Sequence, residues 1–218
     1  MYGRHLFPKF KAATSARLLL LSIVSAVAIT GCQPMNIDTV SKPSPKFDFT
    51  EYFLNQTKAS GWFADRFGKV KRHFCGEFNG RFEDDVFVLD ETLNYSDGVV
   101  ERRVWKVAID DDGNFKATSD SLVGNAVGQL KGNTLNLKYS LRVDLADGKQ
   151  WVLDMDDWLF LQPDGTVHNM TEVRKWGFRV GTVSTQFFKS EPVENTASCD
   201  GTLAVDSTNG SVVRSVAG

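Results

Sequence analysis

Asp154, Asp156 and Asp157 place three carboxylates within four residues. Two carboxylates on one side could divide the acid and base roles of a hydrolysis or help hold calcium. On a strand, however, Asp156 and Asp157 point to opposite faces. Asp154 and Asp156 share a face, but as neighbouring like charges they read as a hydrated surface. Asp157 is the carboxylate of interest, because its alternation partners are Trp151, Leu153, Met155, Leu159 and Leu161. Burial beside them would raise its pKa, or require Arg103 or Arg142 as a partner. Asp157 and His168 are therefore the candidate acid or base residues. No nucleophile elbow surrounds any serine, and Gly124, Gly128 and Gly132 lack the Lys-Ser/Thr ending of a phosphate loop. The chain leans towards a binding module rather than an enzyme, and no cofactor is expected.

Other side chains suit recognition. Arg66, in Asp65-Arg66-Phe67-Gly68, could clamp a carboxylate or phosphate head group, or the two charges could simply brace a loop. Trp62, Trp105, Trp151, Trp158 and Trp176, with Phe87, Tyr95 and Tyr139, could line an apolar pocket or fill a core. Arg103, Asn169 or Arg142 beside such a lining would orient a polar end. The candidate ligand-binding set is Arg66, Arg103, Trp105, Tyr139, Trp158 and Asn169. Besides Cys32 the cysteines are Cys75 and Cys199, which could close a disulfide in an oxidising compartment or stay apart. Neither has metal-site spacing, and His73 and His168 lie far apart in the sequence, so no metal is expected.

Compartment is written at the start of the chain. Arg4, Lys9, Lys11 and Arg17 precede an apolar run, Leu18 to Ile29, that is too short to span a bilayer and ends in Ile29-Thr30-Gly31-Cys32. This pattern resembles a bacterial lipobox, with residues 1–31 a signal peptide and Cys32 the lipidated first residue of the mature chain. Several acyl chains on one residue give stable attachment. Gln33, rather than aspartate, by resemblance to bacterial lipoproteins favours the periplasmic face of the outer membrane. Removing residues 1–31 leaves 21 Lys+Arg against 27 Asp+Glu, a charge of −6, which speaks against a nucleic-acid partner. The expected partners are the membrane, through the anchor, and a fatty acid or other lipid. Nothing in the sequence points to a particular protein partner.

The elements that must position these side chains follow from punctuation. Residues 32–47, with three prolines, read as the lipidated cysteine and a tether. Phe49 to Thr57 suggests a short aromatic helix or turn, and 191–218 a loosely ordered tail. Between them, Asp97-Gly98, Asp112-Gly113, Gly132-Asn133, Asp147-Gly148 and Asp164-Gly165 separate alternating segments, as type I′ hairpins would. Leu135, Leu137, Tyr139, Leu141 and Val143 share one face of such a segment. Eight or nine strands near 70–79, 84–95, 99–110, 114–120, 126–131, 134–145, 149–162, 166–174 and 180–189 make a meander, and closure removes its edges. The fold class is all-β, an antiparallel up-and-down β-barrel over residues 48–190 with a short N-terminal helix or turn. A sandwich is the less favoured arrangement.

The chain from Tyr52 to Lys189 resembles the bacterial lipoprotein family catalogued as domain of unknown function 3833. The resemblance is carried by Tyr52-Phe53, Gly61, Asp65-Arg66-Phe67-Gly68, Tyr95, Asp97-Gly98, Arg103 and Trp105. Further along, Val123-Gly124-Asn125-Ala126, Gly128, Gly132-Asn133, Tyr139, Asp156-Asp157-Trp158, Asn169, Gly177 and Gly181 carry it. It implies a lipocalin- or calycin-like barrel and, through relatives encoded beside enzymes that modify membrane fatty acids, a part in lipid metabolism. It supplies no catalytic residues. The function this favours is an anchored carrier of a fatty acyl ligand serving fatty-acid modification or envelope maintenance. The alternatives are an enzyme of isomerase or hydratase type acting on modified acyl chains, and an assembly lipoprotein with a filled barrel.

Overall fold

The computed structural model describes residues 34–145 and 148–189. Cys32, Cys199, and the segments expected to be a signal peptide (1–31) and a C-terminal tail (191–218) lie outside the described residues. Met1–Asn36 and Ile37–Gly218 are separate compact units, and the second holds every element described below. Ten antiparallel strands form a closed barrel: β1 Asn55–Asp65, β2 Val70–Glu83, β3 Val86–Tyr95, β4 Val100–Ile109, β5 Asn114–Thr118, β6 Ala126–Lys131, β7 Thr134–Asp144, β8 Gln150–Leu161, β9 Val167–Lys175 and β10 Phe178–Lys189. Each strand pairs with its sequence neighbour, and β1 closes on β10 from Thr57↔Lys189 to Asp65↔Gly181. No helix among the described residues is long and apolar enough to cross a membrane.

The strand absent from the sequence reading is β1. Its inward positions are Thr57, Ala59, Gly61, Phe63 and Asp65, mostly small or polar, so alternation of hydrophobicity does not reveal it. Small residues are needed there because aromatic rings from elsewhere occupy the interior. A Cβ at Gly61, for example, would lie 2.5 Å from the Phe74 ring.

Most of the expected hairpins form, but with different geometry. In the turns after β1, β3, β4 and β8, the glycine is left-handed and its N–H returns to the residue three before it, as in Gly113 N to Asp110 O at 2.9 Å. The residues before these glycines, Phe67, Asp97, Asp112 and Asp164, are not left-handed. These are three-residue loops with a glycine bulge rather than type I′ turns. Among the described residues, the one hairpin with two left-handed central residues is Lys175-Trp176-Gly177-Phe178, at φ 52° and 81°.

One end of the barrel is stopped. The short helix α1, Ile37–Val40, lies against β6 and β7, where Asp38 pairs with Lys131 at 2.5 Å. Lys42 exchanges hydrogen bonds with Asn133: its carbonyl accepts from Asn133 N–H at 2.8 Å, and its own N–H donates to Asn133 Oδ1 at 2.6 Å. Gly132 allows this approach, since a Cβ there would sit 2.0 Å from the Lys42 carbonyl. Helix α2, Phe49–Phe53, is capped by Asp48, whose carboxylate accepts from Glu51 N at 2.9 Å. It drives Phe47, Phe49, Tyr52 and Phe53 into the barrel. Phe53 meets the Phe187 ring at 5.3 Å, and Phe49 meets Phe115 at 5.0 Å, both edge-on. Residues 37–47 are thus not a spacer: they are fastened to the barrel, and Phe47 is only 1% exposed.

Candidate functional site

A cavity of about 540 Å³ runs along the barrel from Phe49 and Phe53 at the closed end to Lys71, Leu145 and Trp151 at the open end. Every strand except β6 contributes lining. The alternating face of β7 supplies Leu135, Leu137, Tyr139, Leu141 and Val143, and that of β8 supplies Trp151, Leu153, Met155, Asp157 and Leu159. The wall is therefore largely apolar, with one set of polar groups gathered at mid-depth and another, Asp65, Lys71 and Arg72, at the mouth. The volume falls in the range of roughly 300–1,000 Å³ usual for small-molecule sites.

The mid-depth groups form a chain. Arg103, inward on β4, is clasped by Glu91 on β3 and Glu101 on its own strand. Burial disfavours the guanidinium charge, but the two carboxylates outweigh it and hold its pKa above the ordinary arginine value. Glu91 also accepts from Trp105 Nε1 at 2.8 Å. The Trp105 indole meets the Tyr139 ring edge-on at 5.5 Å. Tyr139 donates its hydroxyl to Asp157 Oδ2 at 3.0 Å. The second Asp157 oxygen, Oδ1, is buried without a hydrogen-bond partner; the Thr171 hydroxyl lies close enough to ease its charge but is directed to Asn169 Oδ1 at 3.2 Å.

Burial pushes Asp157 up to about 6, against the lowering effect of the Thr171 and Tyr139 hydroxyls. The Tyr139 phenol is raised well above 10, first by burial and then by the Asp157 charge. Such a group can act as a weak acid or base, or as a hydrogen-bonding point for a polar atom in the cavity. Four ionisable chains inside one barrel, Glu91, Glu101, Arg103 and Asp157, leave this zone acidic when all are charged.

The family model described as Protein of unknown function (DUF3833) matches residues 26–189. The chain belongs to the DUF3833 family. No curated protein matches it. In this DUF3833 protein the structure brings Arg103, Trp105, Tyr139, Asp157 and Asn169 around one cavity and leaves three expected site residues elsewhere. Trp158 points outward and stacks on Phe160 at 6.3 Å, because it alternates with inward Asp157. His168 is likewise on the outer face, 3.2 Å from Ser184 Oγ, and cannot serve chemistry in the barrel. Arg66 is exposed in the β1–β2 turn with its guanidinium 4.7 Å from the Phe67 ring.

The turn itself is braced by Asp65, whose carboxylate accepts from Phe67 N and Lys69 N and pairs with Lys71. Arg142 donates to the Asp120 and Leu122 carbonyls rather than to Asp157. Asp154 and Asp156 are bound from outside by Ser140 and by Asn136 and Lys138. Cys75 is disulfide-bonded, and the described residues contain no other cysteine. Among the described residues no group of three His, Cys, Asp or Glu could hold a metal ion.

Glu91 and Glu101 were missed by the sequence reading. The register could have found them: both are strand carboxylates two apart from, or paired opposite, inward Arg103.

Proposed function

We propose that this protein is an envelope lipoprotein that carries a fatty acyl or other single-chain lipid in its barrel, anchored through Cys32 at the periplasmic face of the outer membrane. The observation that carries the reading is the apolar cavity stopped at one end by α2, with its polar groups limited to a mid-depth cluster and to Asp65, Lys71 and Arg72 at the mouth. A filled assembly barrel would not need such a space. Each methylene moved from water contributes about 0.8 kcal/mol, so a dozen contribute roughly 10 kcal/mol. An association cost of about 4 kcal/mol leaves about 6 kcal/mol, an affinity of tens of micromolar. Chain-first entry leaves a carboxylate or phosphate at the mouth near Lys71 and Arg72 and away from Glu91 and Asp157. Service in membrane fatty-acid modification or envelope maintenance accords with such a cargo.

The test is native mass spectrometry with lipid extraction on the Ile37–Gly218 unit, exported to its own periplasm and purified without detergent, followed by fatty-acid uptake after delipidation. One acyl species per chain is expected, with uptake lost in Leu137→Trp, which fills the cavity from β7, at an unchanged melting temperature. Apo protein that takes up nothing refutes the carrier. A second reading, an enzyme acting on a modified acyl chain, is favoured by Asp157, whose raised pKa and open Oδ1 suit proton transfer. Conversion of the offered lipid, abolished by Asp157→Asn, would select it.

A further inference from the structure

The open end of the barrel is built unlike a solvated rim. The β1–β2 turn lifts Phe67 into solvent at 80% exposure, and the β9–β10 turn presents Trp176 at 83% and Phe178 at 74%. Strands β9, β10, β1 and β2 are consecutive neighbours in the barrel, so the two turns stand side by side at the cavity mouth. Three large aromatic side chains extended together into water have no folding benefit, and such groups mark an interaction surface.

The backbone sharpens the point. Trp176 occupies the first central position of a two-residue turn at φ 52°, where asparagine or glycine is the favoured choice and a bulky side chain is strained. A tryptophan held there while exposed is a sign of function at the turn.

Charge indicates what the surface meets. Residues 65–72 carry four cations and one carboxylate, and residues 172–179 carry three cations and one carboxylate, in a chain whose net charge is −2. Lys71 and Arg72 are paired with Asp65 and Asp97, and Arg174 with Glu172. Arg66, Lys69 and Arg179 have no carboxylate partner among the described residues. Lys175 lies with its ammonium 2.9 Å from the centre of the Trp151 ring and 4.4 Å from that of Trp176, tying the rim aromatics to a positive charge. Exposed tryptophan and phenylalanine ringed by unpaired lysine and arginine match the interface of a negatively charged bilayer, where indoles sit at head-group level and basic side chains meet the surface potential.

We propose that the rim formed by the β1–β2 and β9–β10 turns docks the barrel, mouth first, on an anionic phospholipid bilayer. This goes beyond the carrier reading, since it holds whatever the cavity contains. Should that reading hold as well, docking would let a chain pass between bilayer and barrel without crossing water.

The Ile37–Gly218 unit is mixed with vesicles of phosphatidylglycerol and phosphatidylethanolamine, or of phosphatidylcholine alone, and bound protein is measured by flotation. Binding to the anionic vesicles that weakens with salt is expected, with at least tenfold weaker binding for Trp176→Asn and for Phe67→Ser. Trp176→Asn should leave the melting temperature unchanged or higher, because asparagine suits the turn, and that combination separates docking from a structural role. Absence of binding to anionic vesicles overturns the proposal, and so does unaltered binding by Trp176→Asn. Loss of a bound protein rather than of vesicles in that variant also overturns it. Fatty-acid uptake measured on the same preparation keeps the two ideas apart: uptake without vesicle binding refutes docking alone, and vesicle binding without uptake refutes the carrier alone.

Discussion

Replacing Asp157 by asparagine should stabilise the barrel at neutral pH and do so much less in acid. In the unfolded chain this carboxyl ionises near its ordinary value of 3.8, and in the fold near 6. The folded state therefore holds its proton longer, and stability falls as pH rises between those values, with the loss complete above about 6. At about 1.4 kcal/mol per tenfold change in the ionisation constant, the full penalty is about 3 kcal/mol at pH 8. At pH 4.5 the same linkage leaves about 1 kcal/mol.

Asparagine keeps the shape and an oxygen for the Tyr139 hydroxyl, now 3.0 Å from the carboxylate, while removing the buried charge. Urea unfolding of the Ile37–Gly218 unit and its Asp157→Asn variant should therefore differ by about 2 kcal/mol more at pH 8 than at pH 4.5. Equal gains at both pH values, or destabilisation at both, would refute the claim that burial of this charge governs its ionisation.

Removing the floor of the barrel should be costly. Phe53→Ala deletes a ring that contacts Phe49, Phe78 and Phe187, and a loss of about 3–5 kcal/mol is expected in urea unfolding. Arg103→Met strands Glu91 and Glu101 inside the barrel and should cost about 3–5 kcal/mol, most of it recovered in Arg103→Met/Glu91→Gln/Glu101→Gln, which removes both charges and keeps an acceptor for Trp105 Nε1. Gly132→Ala should loosen residues 37–47, read as faster amide exchange at Phe47, whose N–H donates to the Gly132 carbonyl at 2.8 Å.

The parts of this architecture that could be read in advance obey one rule at a time. In β7, Leu135 to Val143 alternate and face inward as expected, because that strand has one wall on the cavity and one on solvent. The inward set of β8 was also legible, but not its consequence for Trp158, since an aromatic residue beside Asp157 looks equally at home in the core until the face is known. Strand β1 escaped because its interior is shared with Phe74 and α2, which a local pattern cannot show. The loop residues Asp97, Asp112 and Asp164 signalled turns correctly but not their length, since an Asp-Gly pair serves a glycine bulge as readily as a two-residue turn. The clasp of Glu91 and Glu101 on Arg103 depends on the pairing of β3 with β4, which is non-local information.

The two ends of the barrel make a further prediction. The chain joins the barrel at the closed end, where α1 and Lys42 are fastened to the β6–β7 turn, and the aromatic rim is at the other. An eleven-residue strand such as β7, tilted as in closed barrels, spans roughly 28 Å along the axis. With Cys32 lipidated as proposed, the chain from there to Ile37 reaches at most about 18 Å. We expect the rim then to meet a facing bilayer rather than the anchoring one. Lipidated full-length protein inserted in one vesicle population should gather a second, anionic population, measured by energy transfer between dyes placed in each. Trp176→Asn should abolish the gathering while the protein remains anchored. If the anchored protein gathers nothing although the soluble unit binds the same vesicles, the mouth reaches its own membrane and the geometric argument from the closed end fails.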